Sequence, residues 1–265
     1  IMAGRLKRGI YTLTAPTGSG KTLAMLAFAL RHAQLHNFRR IIIVLPYLNI
    51  IEQSVNVYRG VLNDNNDTDL ILEDHSLAEL PEDIRLLAEN WDAPIVVTTT
   101  VRFFEGLFAN RSSACRRLHN IANSVILFDE AQSMPQKLAT YTLASMSYLV
   151  ERYGCTTVFC TATQPAFDFF HNSVKNHTSL GWQPESLIKS SDELAKKARR
   201  VKVEWYGCIE WEYVAERLKH TRQALAILNT KKQAQKLYLL LCANTPDEQN
   251  FHLSTDMCPA HRLDT

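Results

Sequence analysis

The sequence predicts an α/β fold: a doubly wound, parallel-sheet lobe followed by the opening of a second, incomplete lobe of the same kind. Three observations carry that expectation. Short runs rich in β-branched residues alternate with segments of helical periodicity. A glycine-rich loop, Ala15-Pro16-Thr17-Gly18-Ser19-Gly20-Lys21-Thr22, stands where the first run ends, and an acidic pair, Asp129-Glu130, stands where the fourth ends. With 46% apolar and 21% charged residues, a chain of 265 residues can bury one large core or two smaller ones.

Residues 10–14 read as the first buried strand, and the loop after it can wrap phosphates. Gly18 and Gly20 let the backbone approach an anion and turn its N–H groups inward, while a helix over 22–35 offers its positive end. Lys21 can reach β- and γ-phosphate oxygens, and the Thr22 hydroxyl can ligate Mg²⁺. The stricter form of this loop has Gly at its first position, where Ala15 stands here. Residues 41–45 give the second strand and 50–62 the next helix. A long loop follows, carrying the polar cluster Glu73-Asp74-His75-Ser76, and then a helix over 81–89 that begins at Pro81, whose missing N–H costs nothing there. A lone histidine in such a loop reads as loop-locking rather than as a metal ligand.

The third strand is 95–99, with a helix over 102–109; the fourth is 125–128, with a helix over 136–152 entered at Pro135; the fifth is 157–161. The fourth strand delivers Asp129 to Mg²⁺ and places Glu130 to orient or activate an attacking water. Together the two half-sites point to an ATPase. Beyond them, residues 172–200 begin as a polar stretch with Gly181, Pro184 and several serines, the pattern of a linker or surface excursion. A second alternation then opens, with strands expected at 201–206, 224–228 and 251–253 and helices at 211–219 and 231–241. The expected division is 1–171 for the first lobe, 172–200 for the linker and 201–265 for the start of the second.

Charge and cysteine content narrow the function classes. A formal net charge of +2 is too small for a global field to gather nucleic acid, so any such contact is a local groove. The runs Arg39-Arg40, Arg116-Arg117 and 196–200 are candidates, although each also suits a solvated face. The six cysteines show no Cys-x-x-Cys pair and no histidine at zinc spacing, which fits a reduced, cytosolic protein, and Cys160 reads as a small core hydrophobe. No stretch approaches the roughly 18 apolar residues of a membrane span, and no signal peptide is visible. None of the nine histidines is followed by aspartate, so a His-Asp metal nuclease centre is not expected.

Other segments gather at strand ends. Thr161-Ala162-Thr163 ends the fifth strand, where two hydroxyls can bond the acidic box and report nucleotide state. Pro46-Tyr47 closes the second strand; Tyr47 can stack on a base, and it suits rim packing equally well. Thr98-Thr99 and Arg102 close the third strand on the same edge and can hold phosphates. In the second lobe Asn229-Thr230 and Ser254-Thr255 are candidate backbone contacts, with ordinary helix capping as the competing reading for Asn229-Thr230.

The ordered set resembles a superfamily 2 helicase core, and more narrowly the CRISPR-associated helicase of type I interference systems. The resemblance rests on 14–22, on Leu45-Pro46-Tyr47 with Ile50-Ile51-Glu52-Gln53, on Asp74-His75-Ser76 and Thr98-Thr99, and on Phe128-Asp129-Glu130-Ala131-Gln132. It continues through Thr161-Ala162-Thr163-Gln164-Pro165 and His252-Leu253-Ser254-Thr255 with Cys258-Pro259 and His261-Arg262. It implies two RecA-like lobes with ATP and Mg²⁺ in the cleft between them, and catalytic roles for Lys21, Asp129, Glu130 and Gln132. It further implies 3′-to-5′ movement on single-stranded DNA, recruitment by a Cascade-type crRNA surveillance complex, and an HD nuclease that is fused or separate, in a prokaryotic cytoplasm. The chain departs from that pattern at both ends. It begins at Ile1 as if cut from a longer parent, leaves no room for an upstream adenine-contacting glutamine, and stops before the second lobe's arginine pair. An arginine of that type is worth about 10³–10⁵ in rate, so weak nucleotide binding and slow hydrolysis are expected of the chain alone. An RNA-directed helicase and an ATP-gated docking module are the alternatives.

Overall fold

The computed structural model describes residues 5–62, 70–75, 88–108, 112–163, 167–188, 191–243, 250–254 and 256–258. The chain divides into two compact units, Ile1–Arg199 and Arg200–Thr265.

The first unit is built on a seven-stranded, wholly parallel sheet. Its strands are β1 (Ile10–Thr14), β2 (Arg40–Leu45), β3 (Ile71–Asp74), β4 (Ile95–Thr99), β5 (Ser124–Phe128), β6 (Thr156–Thr161) and the short β7 (Glu185–Ser186), in the spatial order β3-β4-β2-β5-β6-β1-β7. Alternation along each strand feeds two cores. In β2, Ile41, Ile43 and Leu45 face one side with Met25, Phe28, Val55 and Tyr58, which belong to α1 (Lys21–His36) and α2 (Leu48–Leu62). Ile42 and Val44 face the other with Phe103, Leu143 and Met146, from α3 (Thr100–Phe108) and α5 (Ala139–Tyr153), the two flanking α4 (Ser112–Ile121). Covering both faces is why these strands read as unbroken apolar runs. Phe128 and Phe159 stack at 5.0 Å between centroids and tie β5 to β6.

The five strands expected in the first lobe are all present. Two more escaped the sequence. β3 lies in what reads as a loop, because Glu73 and Asp74 depress strand propensity and, among the described strands, only β4 pairs with it. Of the helix expected over 81–89, residues 81–87 lie outside the described residues; 88–90 are helical.

The expected linker is corrected. Residues 172–188 carry α6 (His171–Lys175) and β7, and they close over the sheet rather than leave it. Trp182 is 2% exposed and packs edge-on to Phe159 at 5.0 Å and to Phe167 at 6.2 Å. Ser147 Oγ donates to Gly181 O at 2.8 Å, and His171 Nδ1 lies 2.9 Å from Trp182 O. A helix of seven residues, α7 (Ser191–Lys197), follows.

In the second unit the expected helices are present and the expected strands are corrected. Its two long helices, α8 (Trp211–Lys219) and α9 (Lys231–Cys242), match expectation and pack together; Lys236 Nζ lies 5.6 Å from the Trp211 ring centroid. Among its described residues there is no strand at 201–206, 224–228 or 251–253. Val203, Trp205, Leu225 and Ile227 are all at least 79% exposed. Composition alone favours strand there, but a strand is stable only within a ladder that buries one of its faces, and these segments pair with nothing described.

A buried Trp182 predicts a sharp difference from a linker. Trp182→Ala should destabilise the first unit by about 3–5 kcal/mol in urea unfolding, whereas a linker position would change it by less than about 0.5 kcal/mol.

Candidate nucleotide and nucleic-acid site

Strand order builds the site. β6 lies between β1 and β5, so the loops after β1 and β5 open on either side of Thr161. Ala15 N donates to Thr161 O at 3.2 Å, which continues the ladder one residue past β1. That explains the missing glycine at the loop's start. Ala15 is buried and keeps a negative φ, so its methyl group fits, whereas Gly18 and Gly20 adopt φ of +77° and +78°. Ser19 N donates to Pro16 O at 3.2 Å and folds the loop back. α1 then begins with no side-chain cap and no acidic residue in its first turn. No capping side chain therefore competes with an anion for its leading amides.

Lys21 Nζ lies 3.7 Å from Glu130 Oε1, with only 9% of the lysine side chain exposed. The acidic loop is held from within. Asp129 N donates to Val44 O at 3.0 Å, and Glu130 N donates to Asp129 Oδ1 at 2.9 Å. Burial pushes the Asp129 carboxyl up, and the Glu130 amide and Lys21 oppose that. Glu130 adopts a left-handed backbone, φ 51° and ψ 44°, costing about 1–2 kcal/mol. Its carbonyl oxygen accepts from Ser133 N at 2.9 Å and Ser133 Oγ at 2.8 Å, and these bonds hold the turn. Gln132 Nε2 donates to Glu130 Oε2. Thr161 Oγ1 lies 2.5 Å from both Gln132 Oε1 and Thr163 O, so its single proton is shared between two acceptors. The described side chains thus form one chain of contacts, Lys21–Glu130–Gln132–Thr161–Thr163.

The donor set fits a nucleoside triphosphate with Mg²⁺. Amides and Lys21 suit phosphate oxygens, and one carboxylate with one hydroxyl, Asp129 and Thr22, is the small protein share that Mg²⁺ takes beside substrate phosphates and water.

The residues expected to meet nucleic acid divide into two groups. Tyr47 is 58% exposed beside half-buried Pro46, both at the carboxyl edge of β2. Arg102 is half-buried on α3, with Nη2 3.1 Å from Asp74 Oδ1. Thr98 is corrected: it is fully buried, and its hydroxyl donates to Asp74 O at 2.8 Å. Thr99 Oγ1 accepts from Arg102 N at 3.2 Å, which makes it the cap of α3. Arg117 is buried against Trp91, Arg116 is exposed and pairs with Glu89, and Arg40 opens β2 at the edge opposite the nucleotide loops. In the second unit Thr230 caps α9 by accepting from Gln233 N at 3.3 Å, while Asn229 is exposed. Ser254 Oγ accepts from Asp256 N at 3.3 Å; Thr255 lies outside the described residues, as do 164–165, 259 and 261–262. Sequence reasoning missed the weight of Asp74. Its place after Ile71-Leu72 was the available signal, since an acid closing an apolar pair marks a strand end.

Fold and site together define a RecA-like, nucleotide-binding helicase lobe. The DEAD/DEAH box helicase family matches residues 5–169, and the chain belongs to that family. It is 28% identical over 180 residues to the CRISPR-associated nuclease/helicase Cas3 of Haloferax volcanii, a match covering 59% of this chain and 19% of that protein. It is 26% identical over 263 residues to the putative CRISPR-associated nuclease/helicase Cas3 of Methanocaldococcus jannaschii, covering 88% of this chain and 34% of that one. The chain therefore spans about a fifth to a third of the length of these relatives. Among solved structures, T. fusca Cas3-AMPPNP superposes with a TM-score of 0.52 at 20% identity over 74% of this chain and 22% of its own. The Pyrococcus furiosus Hef helicase domain does so at 0.50 and 15% identity, over 94% of this chain and 53% of its own. At such identities the superpositions speak for the fold. No described helix is long and apolar enough to cross a membrane.

A positive-φ glycine of the loop gives a test, with a helical glycine as control. Gly20→Ala should weaken fluorescent-ADP binding about tenfold, through about 1–2 kcal/mol of backbone strain. Gly60→Ala, in an open stretch of α2, should leave binding unchanged and stabilise the unit by about 0.5–1 kcal/mol.

Proposed function

We propose that this chain is the nucleotide-binding part of an ATP-driven helicase of CRISPR interference, coupling ATP hydrolysis to 3′-to-5′ movement on single-stranded DNA. The observation that carries the reading is the pairing of Lys21 with Glu130 at 3.7 Å, on the same sheet edge as Tyr47 and Arg102. The loop amides and the first turn of α1 bind the phosphates of ATP, and Lys21 turns from Glu130 to the β- and γ-oxygens. Mg²⁺, held by Thr22 and Asp129, would neutralise charge on those phosphates. Glu130, released from Lys21, orients the attacking water, and Gln132 passes its position through Thr161 to Thr163. Tyr47 and Arg102 follow the backbone of a single strand without reading its sequence.

Because the chain resembles Cas3 proteins, a Cascade-type crRNA surveillance complex is the proposed recruiting partner, and an HD nuclease, fused or separate, the proposed consumer of the displaced strand. A prokaryotic cytoplasm is the proposed setting.

Two substitutions test the chemistry. Lys21→Ala should weaken nucleotide binding about 10–100-fold, the worth of a charge-assisted phosphate contact. In the full-length protein, Glu130→Gln should keep nucleotide binding within a few-fold yet lower DNA-stimulated phosphate release about 10²–10⁴-fold. A Glu130→Gln protein with undiminished turnover would sink the assignment. Stronger stimulation by single-stranded RNA than by DNA would overturn the choice of substrate.

A further inference from the structure

The carboxyl end of β3 carries an ion cluster that the nucleotide chemistry does not use. Asp74 is 2% exposed. Its Oδ1 accepts from Arg102 Nη2 at 3.1 Å; its Oδ2 accepts from Trp91 Nε1 at 2.7 Å and lies 3.3 Å from Arg117 Nη2. The Arg117 guanidinium also lies 5.1 Å from the Trp91 ring centroid. One carboxylate therefore faces two guanidinium groups. Neighbouring pairs cancel among themselves, Arg59 with Glu73 at 3.0 Å and Arg116 with Glu89 at 3.3 Å. The cluster keeps a net positive charge, and one of its two guanidinium groups reaches solvent. That member is Arg102, with 36% of its side chain exposed against 8% for Arg117. Among the described carboxylates only Glu105 offsets it, 3.6 Å from Nη1 and itself 55% exposed, and such exposed pairs are weak.

The location gives this surplus a use. Thr99 caps the first turn of α3 by accepting from Arg102 N, and Thr100 Oγ1 donates to Leu45 O at 3.3 Å, joining the start of α3 to the end of β2, beyond which stand Pro46 and Tyr47. A guanidinium fixed along one edge loses little further freedom when its other edge meets a phosphate. We propose that Asp74 is a positioning residue for nucleic acid: it presets Arg102 to meet a backbone phosphate, and Glu105 is the competing carboxylate that this phosphate displaces. The inference rests on the carboxyl edge being a nucleic-acid track.

Binding of a fluorescent oligo(dT) by this chain, titrated across salt concentrations beside fluorescent-ADP affinity, tests it. Arg102→Ala should bind about tenfold more weakly, with the slope of log K against log salt shallower by about 0.7, and with ADP affinity unchanged. Glu105→Gln should tighten oligo(dT) binding. Asp74→Asn should weaken it in the same sense as Arg102→Ala at constant ADP affinity. If Asp74→Asn instead costs folding, Arg102→Lys decides: it keeps the charge but not the fork that Asp74 holds, so a loss near that of Arg102→Ala supports presetting and wild-type binding overturns it. Unaltered binding by both Arg102→Ala and Glu105→Gln, in a chain that does bind oligo(dT), defeats this inference and leaves the track standing. A chain that binds no oligonucleotide removes the track and the inference with it.

Discussion

The parallel pairing of β6 with β1 on one side and β5 on the other is the constraint on which the rest depends. Register sets Thr14 beside Thr161 and Phe128 beside Phe159. Loops far apart in sequence then open side by side at one edge of the sheet, with Thr161 between them. Parallel strands put every carboxyl end on the same side, so Pro46-Tyr47 and the start of α3 join that edge without any further device. The cores on the two faces hold this arrangement. They touch no phosphate, yet a shift in them would part Lys21 from Glu130.

Much of the first unit was legible because local signals and tertiary demand agree there. Ile41–Leu45 is apolar at every position, since both of its faces are covered, and Gly18 and Gly20 stand where the backbone needs positive φ. Elsewhere the two diverge. β3 ends in acids because its last carboxylate is an ion hub, which local propensity cannot foresee. Trp182 sits among serines and a glycine, so its stretch reads as linker; the burial of one large ring outweighs the polarity around it. The opposite failure occurs at 201–206 and 224–228, where β-prone residues lie exposed because no ladder receives them.

The candidate site was legible in its chemistry and less so in its allocation. Lys21, Glu130 and Gln132 come together in one chain of contacts. The threonines at the end of β4 look alike in sequence and do different work. The Thr98 hydroxyl donates to a main-chain oxygen, while that of Thr99 caps a helix. Likewise Arg102 and Arg117 are equal as letters, but one reaches solvent and the other lies under Trp91. Burial, which a single sequence carries only faintly, decides these roles.

The pairing of Lys21 with Glu130 also bears on what the site refuses. In the resting protein the one lysine of the loop is already matched, so a small anion such as free phosphate gains little by approaching it. In the proposed reading, a ligand that also fills the row of amides at the start of α1 gathers the contacts that draw the lysine away. On that reading the resting pair therefore favours a polyphosphate over a simple anion.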